Sequence, residues 1–135
     1  MHHRSTLLLL AGLLLAGCQA VQPQPSTTLP PANAQPGDVA AAYLQALVDG
    51  DCAKARALMT SDALALAKPM CDRPRVTGYS ELSRDAALPN GRDITYVVEL
   101  TIKNSDGFDG GHTMFVGVSL TPGGYWRVNG IGSGP

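Results

Sequence analysis

The stretch that decides the fold is ITYVVELTIK, residues 94–103. Apolar side chains alternate with more polar ones along it, a period of two that is typical of a strand with one buried face. HTMFVGVSL (112–120) alternates in the same way, and YWRVNGI (125–131) follows the short turn TPGG. Because short turns join these segments, we predict an antiparallel meander of hairpins. A weaker strand, RVTGYSEL, is predicted at 75–82.

The segment before these strands has helical spacing. GDVAAAYLQALVDGD (37–51) predicts a first helix with Asp38 as its N-cap and Gly50 just past its end. Asp51 is expected to cap a second helix, a third is expected to start after Thr60 or Ser61, and Pro69 should stop it. Helices followed by antiparallel strands predict an α+β fold in which the N-terminal helices pack on the apolar face of the sheet.

The amino-terminal region is strongly apolar. The 11 residues 7–17 follow Arg4 and end in small residues. As a helix this run would rise only about 16 Å, whereas a membrane span needs about 20 residues. A short charged start, an apolar run and small residues predict a secretory signal peptide, residues 1–17, that is removed.

The end of that run is more specific. Leu15, Ala16, Gly17 and Cys18 resemble the lipobox of bacterial lipoproteins. In that family the cysteine sulfur receives diacylglycerol with palmitate-type chains, and a peptidase then cuts before the cysteine. The resemblance implies lipidation at Cys18, a membrane partner reached through the lipid, and a domain on the extracytoplasmic side of a bacterial cell envelope. The alternative is an ordinary signal peptide with a chance cysteine.

A proline-rich segment, 18–36, separates this cysteine from the remaining 99 residues. Its five prolines and uncharged polar residues offer little to bury, so we expect an extended tether. Residues 37–135 are then a single small domain. Removing Arg4 leaves nine Lys and Arg against eleven Asp and Glu, without a basic stripe, so a nucleic-acid partner is not expected.

Two cysteines remain, Cys52 and Cys71. In an exported chain two cysteines usually pair, so we predict a disulfide. The alternatives are a two-thiol metal site and a reactive thiol. A metal site would need further ligands, and the region after Cys18 contains one histidine, His112.

The domain resembles the nuclear transport factor two-like superfamily of cystatin-like cones. VAAAYLQALVDGDCAKARALM, the helical block and the closing YWRVNGIGSG carry the resemblance. It implies a curved sheet wrapped around a long first helix, with pocket candidates at the open end of the cone: Tyr43, Tyr79, Tyr96, His112 and Trp126. His112 near a carboxylate could be a general base, or it could be a solvated residue at a turn. Tyr43 and Tyr96 could equally be core residues.

The loop 104–111, NSDGFDGG, holds Asn104, Asp106 and Asp109. Oxygen-rich loops can bind calcium, but these residues lack the spacing of a known calcium loop and are also what a tight turn requires. We therefore predict no metal. Phe108 at the tip could contact a partner or membrane, or fold back on the sheet.

No catalytic motif or cofactor-binding loop is present in the sequence. The favoured hypothesis is a non-catalytic envelope lipoprotein that binds a partner protein or a small ligand. The alternatives are an isomerase-like or dehydratase-like enzyme using His112 or Tyr43, and a structural accessory of a surface complex.

Overall fold

A computed structural model describes residues 28–66, 70–71, 74–84, 91–103 and 105–134. The signal peptide, Cys18, most of the tether and Pro69 lie outside the described residues. Within them, no helix combines the length and the hydropathy that a bilayer crossing requires.

The fold is α+β, as predicted: short helices pack with a curled antiparallel sheet. The elements in chain order are α1 (Pro36–Asp49), α2 (Cys52–Ala57), α3 (Ser61–Leu66), β1 (Arg75–Tyr79), β2 (Ser83–Arg84), β3 (Asp93–Lys103), β4 (Gly110–Leu120) and β5 (Trp126–Gly132). The predicted strand at 75–82 is therefore shorter than expected, and a second short strand follows it.

The strands of the described part form one sheet in the order β1-β3-β4-β5, and β2 also pairs with β3. The β3–β4 hairpin pairs along its full length, from Asp93 opposite Ser119 to Ile102 opposite Gly110. A register shift after Gly117 interrupts the pairing of β4 with β5. The hairpin meander predicted from the alternating pattern is thus present.

Helix α1 begins earlier than the sequence analysis predicted. Pro36, which was assigned to the tether, is its first residue, and Gln35 is the N-cap. The prediction of Asp38 as N-cap was wrong because proline suits the first helical position and lacks the N–H that a cap would satisfy. Asp38 lies in the first turn, where its Oδ2 accepts from the Gln35 backbone N–H at 3.3 Å. Gly50 ends the helix with a φ of 70°, as predicted.

Helices α2 and α3 are capped as expected. Asp51 Oδ1 accepts from the Lys54 backbone N–H at 2.9 Å, and Thr60 Oγ1 accepts from that of Ala63 at 3.1 Å. Between the helices, Met59 forms an isolated parallel bridge with Val128 of β5. Thr60 donates to the Val128 carbonyl and Val128 to the Leu58 carbonyl, both at 2.8 Å. The backbone between the two helices is therefore fixed to β5.

The core lies between α1 and one face of the sheet. The predicted inward face of β3 is confirmed, since Ile94, Val98, Leu100 and Ile102 are buried and Tyr96 is half-buried. The same face of β4 buries Met114, Val116 and Val118. Helix α1 covers these side chains with Val39, Ala40, Tyr43, Leu44, Ala46 and Leu47.

The predicted disulfide is confirmed. Cys52 at the start of α2 is bonded to Cys71, with 5.6 Å between the Cα atoms. Cys71 is buried, and both residues pack with the core cluster. The bond therefore ties α2 to the chain that follows α3.

Candidate functional site

Of the pocket candidates, Tyr43 lies in the core. Its side chain has no exposed surface, and its hydroxyl has no hydrogen-bond partner among the described residues. Burial raises the pKa of Tyr43 to about 12, because the phenolate would be removed from water. Tyr43 thus packs in the interior.

Tyr96 lies beside the start of α1, half-buried next to Gly37. Its pKa is raised by burial, an effect that the Arg84 guanidinium opposes and the Asp38 carboxylate reinforces. Tyr79 on β1 is also half-buried, and its hydroxyl donates to Gln45 Oε1 on α1 at 3.4 Å. Both phenols therefore contact α1.

His112 lies at the start of β4 and contacts Phe108 in the preceding loop. The two rings stack with centroids 3.8 Å apart and planes 8° apart, and His112 Nε2 lies 2.9 Å from the Phe108 carbonyl oxygen. Phe108 therefore folds back over His112, although it remains 45% exposed. In the same loop, Asp109 Oδ1 accepts from the backbone N–H and the hydroxyl of Ser105.

Trp126 begins β5, opposite Leu120, and is half-buried against the core. Tyr43, Tyr96, His112 and Trp126 are thus distributed over α1, β3, β4 and β5. None of the four lines either of the two cavities described next.

The larger of these cavities is a cleft of about 650 Å³ between α3 and the β4–β5 hairpin. One wall is the segment that the Met59–Val128 bridge fixes to β5. The other wall is the hairpin turn, where Thr121 bonds the Tyr125 carbonyl through both its backbone N–H and its hydroxyl, at 2.9 and 2.8 Å. Gly124 closes this turn with a φ of 80°, a conformation that favours glycine.

The lining of the cleft is amphipathic. Its apolar members are Met59, Ala63, Leu66, Leu120, Pro122 and Tyr125, and its polar members are Thr60, Ser61, Asp62, Ser119, Thr121, Arg127 and Asn129. Leu66 is 89% exposed and Tyr125 is 37% exposed, so the apolar surface continues onto the rim. A cleft of this size that combines apolar side chains with convergent polar groups is a candidate small-molecule site.

Several polar groups of the cleft bond one another. Asn129 Nδ2 donates to Ser119 Oγ, and Ser119 Oγ donates to Asp93 Oδ1. The Asn129 side chain also covers Gly117, where a Cβ atom would lie 2.1 Å from Asn129 Oδ1. Any larger residue at position 117 would therefore displace this side chain.

Arg127 is the cation of the cleft. Arg127 lies between the core-facing Trp126 and Val128 on β5, on the opposite face of the strand, and it is half-buried. Its guanidinium lies over the Tyr125 ring, with 4.5 Å from Cζ to the ring centroid, and Nη1 donates to the Trp126 carbonyl at 2.7 Å. No carboxylate among the described residues forms an ion pair with Arg127.

A second, shallower cavity of about 280 Å³ adjoins the first across Asn129. Glycines 117, 130, 132 and 134 contribute to its lining together with Thr95, Phe115 and Ile131. Thr95 faces away from α1 yet is only 9% exposed, so this part of the outer sheet face is partly covered.

The sequence analysis did not identify the cleft. Its walls join residues 59–66 to residues 119–129, two segments distant in sequence that meet where Met59 bridges to Val128. A usable signal was the run YWR, which places an arginine next to two aromatic residues at the start of a strand.

The described residues contain no group of three or more His, Cys, Asp or Glu side chains placed to hold a metal ion. Comparison with protein-family models and with curated protein sequences gave no match. What the cleft can bind is therefore inferred from its own residues. An apolar group can be buried against its walls, and a hydrogen-bond acceptor can bind Arg127.

Proposed function

We propose that this protein is a lipid-anchored protein of the bacterial cell envelope whose extracytoplasmic domain binds a small ligand in the cleft without catalysing a reaction. The observation that carries the proposal is the cleft between α3 and the β4–β5 hairpin. It combines ligand-sized volume, apolar walls and a guanidinium that has no ion-pair partner in the described part of the chain.

The anchor part of the proposal rests on the sequence. The leader, the lipobox ending in Cys18 and the proline-rich tether occur in the order that an anchored domain requires. Two or more acyl chains hold a protein stably on a membrane, since each buried CH₂ contributes about 0.8 kcal/mol. The disulfide between Cys52 and Cys71 agrees with an oxidising, extracytoplasmic location.

We also propose the nuclear transport factor two-like superfamily as the fold family. Supporting features are the single curled antiparallel sheet, the first helix packed on its apolar face and the closing strand that begins Trp126-Arg127-Val128. Folds of this kind host enzymes and binding modules alike, so the function has to be argued from the site.

The enzyme alternative would be favoured by a cavity that holds His112 beside a carboxylate. In the described part of the chain, the imidazole instead stacks on Phe108 and contacts a backbone carbonyl. The geometry therefore favours binding in the cleft over catalysis by this histidine.

The anchor is tested by fractionating cells that express the wild type or Cys18→Ala. We expect the wild type in the membrane fraction, with a mass that fits cleavage before Cys18 and the addition of acyl chains. We expect Cys18→Ala to lose the acyl mass. An unacylated wild type recovered from the culture medium would refute the anchor.

Binding in the cleft is tested with a blocking variant and a matched control. Ser61→Phe places a ring on the cleft wall, and Ser83→Phe places the same ring on the exposed strand β2, which does not line the cleft. Native mass spectrometry of the full chain extracted from membranes should show a non-covalent adduct on the wild type and on Ser83→Phe that is lost from Ser61→Phe. An adduct that Ser61→Phe retains, or the absence of any adduct, would contradict the proposal.

A further inference from the structure

We propose that the ligand of the cleft is a small amphipathic carboxylate: an apolar body against Leu120, Pro122, Tyr125 and Met59, and a carboxylate on Arg127. This inference rests on the proposed function, because it assumes that the cleft binds a small molecule, and it specifies the chemistry of that molecule.

Arg127 differs in its hydrogen bonding from other polar residues of the cleft. The Ser119 hydroxyl donates to Asp93, the Thr121 hydroxyl to the Tyr125 carbonyl, and the Asn129 amide to Ser119. Arg127 differs, because its one bond, to the Trp126 carbonyl, leaves most of its N–H donors without a partner in the described chain. A ligand should therefore present an acceptor to Arg127.

The charges of the cleft favour a ligand with one negative charge. A half-buried guanidinium without an ion-pair partner among the described residues is best matched by an anion. Asp62 is the one carboxylate among the lining residues, and because its side chain is exposed, water and salt weaken its repulsion of an anionic ligand. Asp93 lies behind the lining, where its carboxylate accepts from the Ser119 hydroxyl. Because the cleft has one cation and an exposed acid beside it, a ligand with one negative charge fits better than a phosphate monoester, which carries two.

The shape of the guanidinium and of the cleft favours a carboxylate joined to an apolar body. The Tyr125 ring lies under the guanidinium and limits where Arg127 can move, and a planar fork of N–H groups matches the two oxygens of a carboxylate. The apolar walls then bury the remainder of the molecule. A volume of about 650 Å³ accommodates a short alkyl chain or a single aromatic ring joined to the acid.

The test uses two acid–amide pairs, 4-phenylbutyrate with 4-phenylbutyramide and octanoate with octanamide. Each pair differs in charge at nearly constant shape, and the two pairs distinguish an aromatic body from an alkyl one. Binding to the full chain is measured by isothermal titration calorimetry.

For at least one pair we expect the acid to bind the wild type roughly tenfold more tightly than its amide, since a hydrogen bond to a charged group contributes about 1.5–3 kcal/mol. Arg127→Gln should reduce this ratio to about one while the amide still binds. The control Arg75→Gln removes an exposed arginine from β1, the strand at the opposite edge of the sheet order, and should keep the wild-type ratio.

A second measurement needs no variant. Lowering the pH until the acid is protonated should weaken binding of the acid to the wild type toward that of the amide, with no matching change for the amide. Equal binding of acid and amide, or a ratio that Arg127→Gln leaves unchanged, would overturn the carboxylate inference. If Ser61→Phe still abolished the binding of both in that case, the proposed function would stand. If neither acid binds the wild type, the carboxylate inference is wrong, and the adduct experiment decides the proposed function separately.

Discussion

Replacing Tyr43 with phenylalanine should stabilise the protein. The ring lies on α1 against the sheet, with no surface exposed to solvent. Its hydroxyl has no partner among the described residues, so folding removes this group from water without a new hydrogen bond. Phenylalanine would keep the ring in the core and remove the group that loses its hydration.

The magnitude follows from the cost of such a group. A buried donor or acceptor without a partner destabilises the folded state by about 1–3 kcal/mol. We expect Tyr43→Phe to raise the free energy of unfolding by about 1–2 kcal/mol, the lower part of that range, because the small space left by the hydroxyl offsets part of the gain. For a domain of this size, each kcal/mol shifts the Tm by about 4–8 °C.

The assay is equilibrium unfolding in urea with the disulfide intact, followed by the fluorescence of Trp126. The midpoint should increase while the slope m is unchanged, because the variant exposes the same surface on unfolding. Tyr79→Phe is the matched control: it removes a phenol hydroxyl that does have a partner, Gln45 Oε1 at 3.4 Å, near the surface. Tyr79→Phe should change the free energy of unfolding by no more than about 0.5 kcal/mol.

A loss of stability in Tyr43→Phe of more than about 1 kcal/mol would refute this reasoning. It would mean that the hydroxyl has a hydrogen-bond partner in the folded protein, such as an ordered water. The packing of α1 on the sheet would then include a polar contact.

Three further outcomes are expected, each measured by urea unfolding. The folded-state pKa of Tyr43, about 12, lies above its ordinary value of 10, so above pH 10 the phenol ionises in the unfolded chain before it ionises in the folded one, and the free energy of unfolding decreases as the pH rises toward 12. The wild type should therefore lose more stability over that range than Tyr43→Phe, and parallel pH profiles would contradict the burial. Replacing Cys52 and Cys71 together with alanine should cost about 3 kcal/mol, since it opens a loop with a sequence separation of 19; an unchanged midpoint would show that the bond adds nothing to stability. Gly50→Ala should cost about 1 kcal/mol, because a side chain is strained at a φ of 70°, whereas Ala53→Gly at an exposed position of α2 serves as a control for helix propensity alone.

Much of the fold could be predicted from the sequence because its signals are local. The alternation in 94–103 and 112–120 identified the buried face of β3 and β4, and Gly50 and Asp51 marked a helix end and the next helix start. The N-cap of α1 was placed at Asp38 because aspartate is a common cap. Pro36 decided the start instead, since proline suits the first turn.

The cleft could not be predicted, because its geometry depends on contacts between distant segments. Nothing in the local sequence indicated that α3 would lie beside Arg127 of β5. The pocket candidates were predicted from the type of their side chains, aromatic or titratable. In the fold these side chains lie on different helices and strands. Tyr43 entered the core with α1, and His112 stacked on Phe108.

The bridge between Met59 and Val128 also affects how copies of the protein can associate. A strand at the margin of a sheet exposes N–H and C=O groups onto which another chain can add. At Val128 of β5 these groups are already bonded to Leu58 and Thr60 of the same chain. A neighbouring molecule therefore cannot extend the sheet through this residue, which lowers the risk of aggregation when many copies crowd onto one surface.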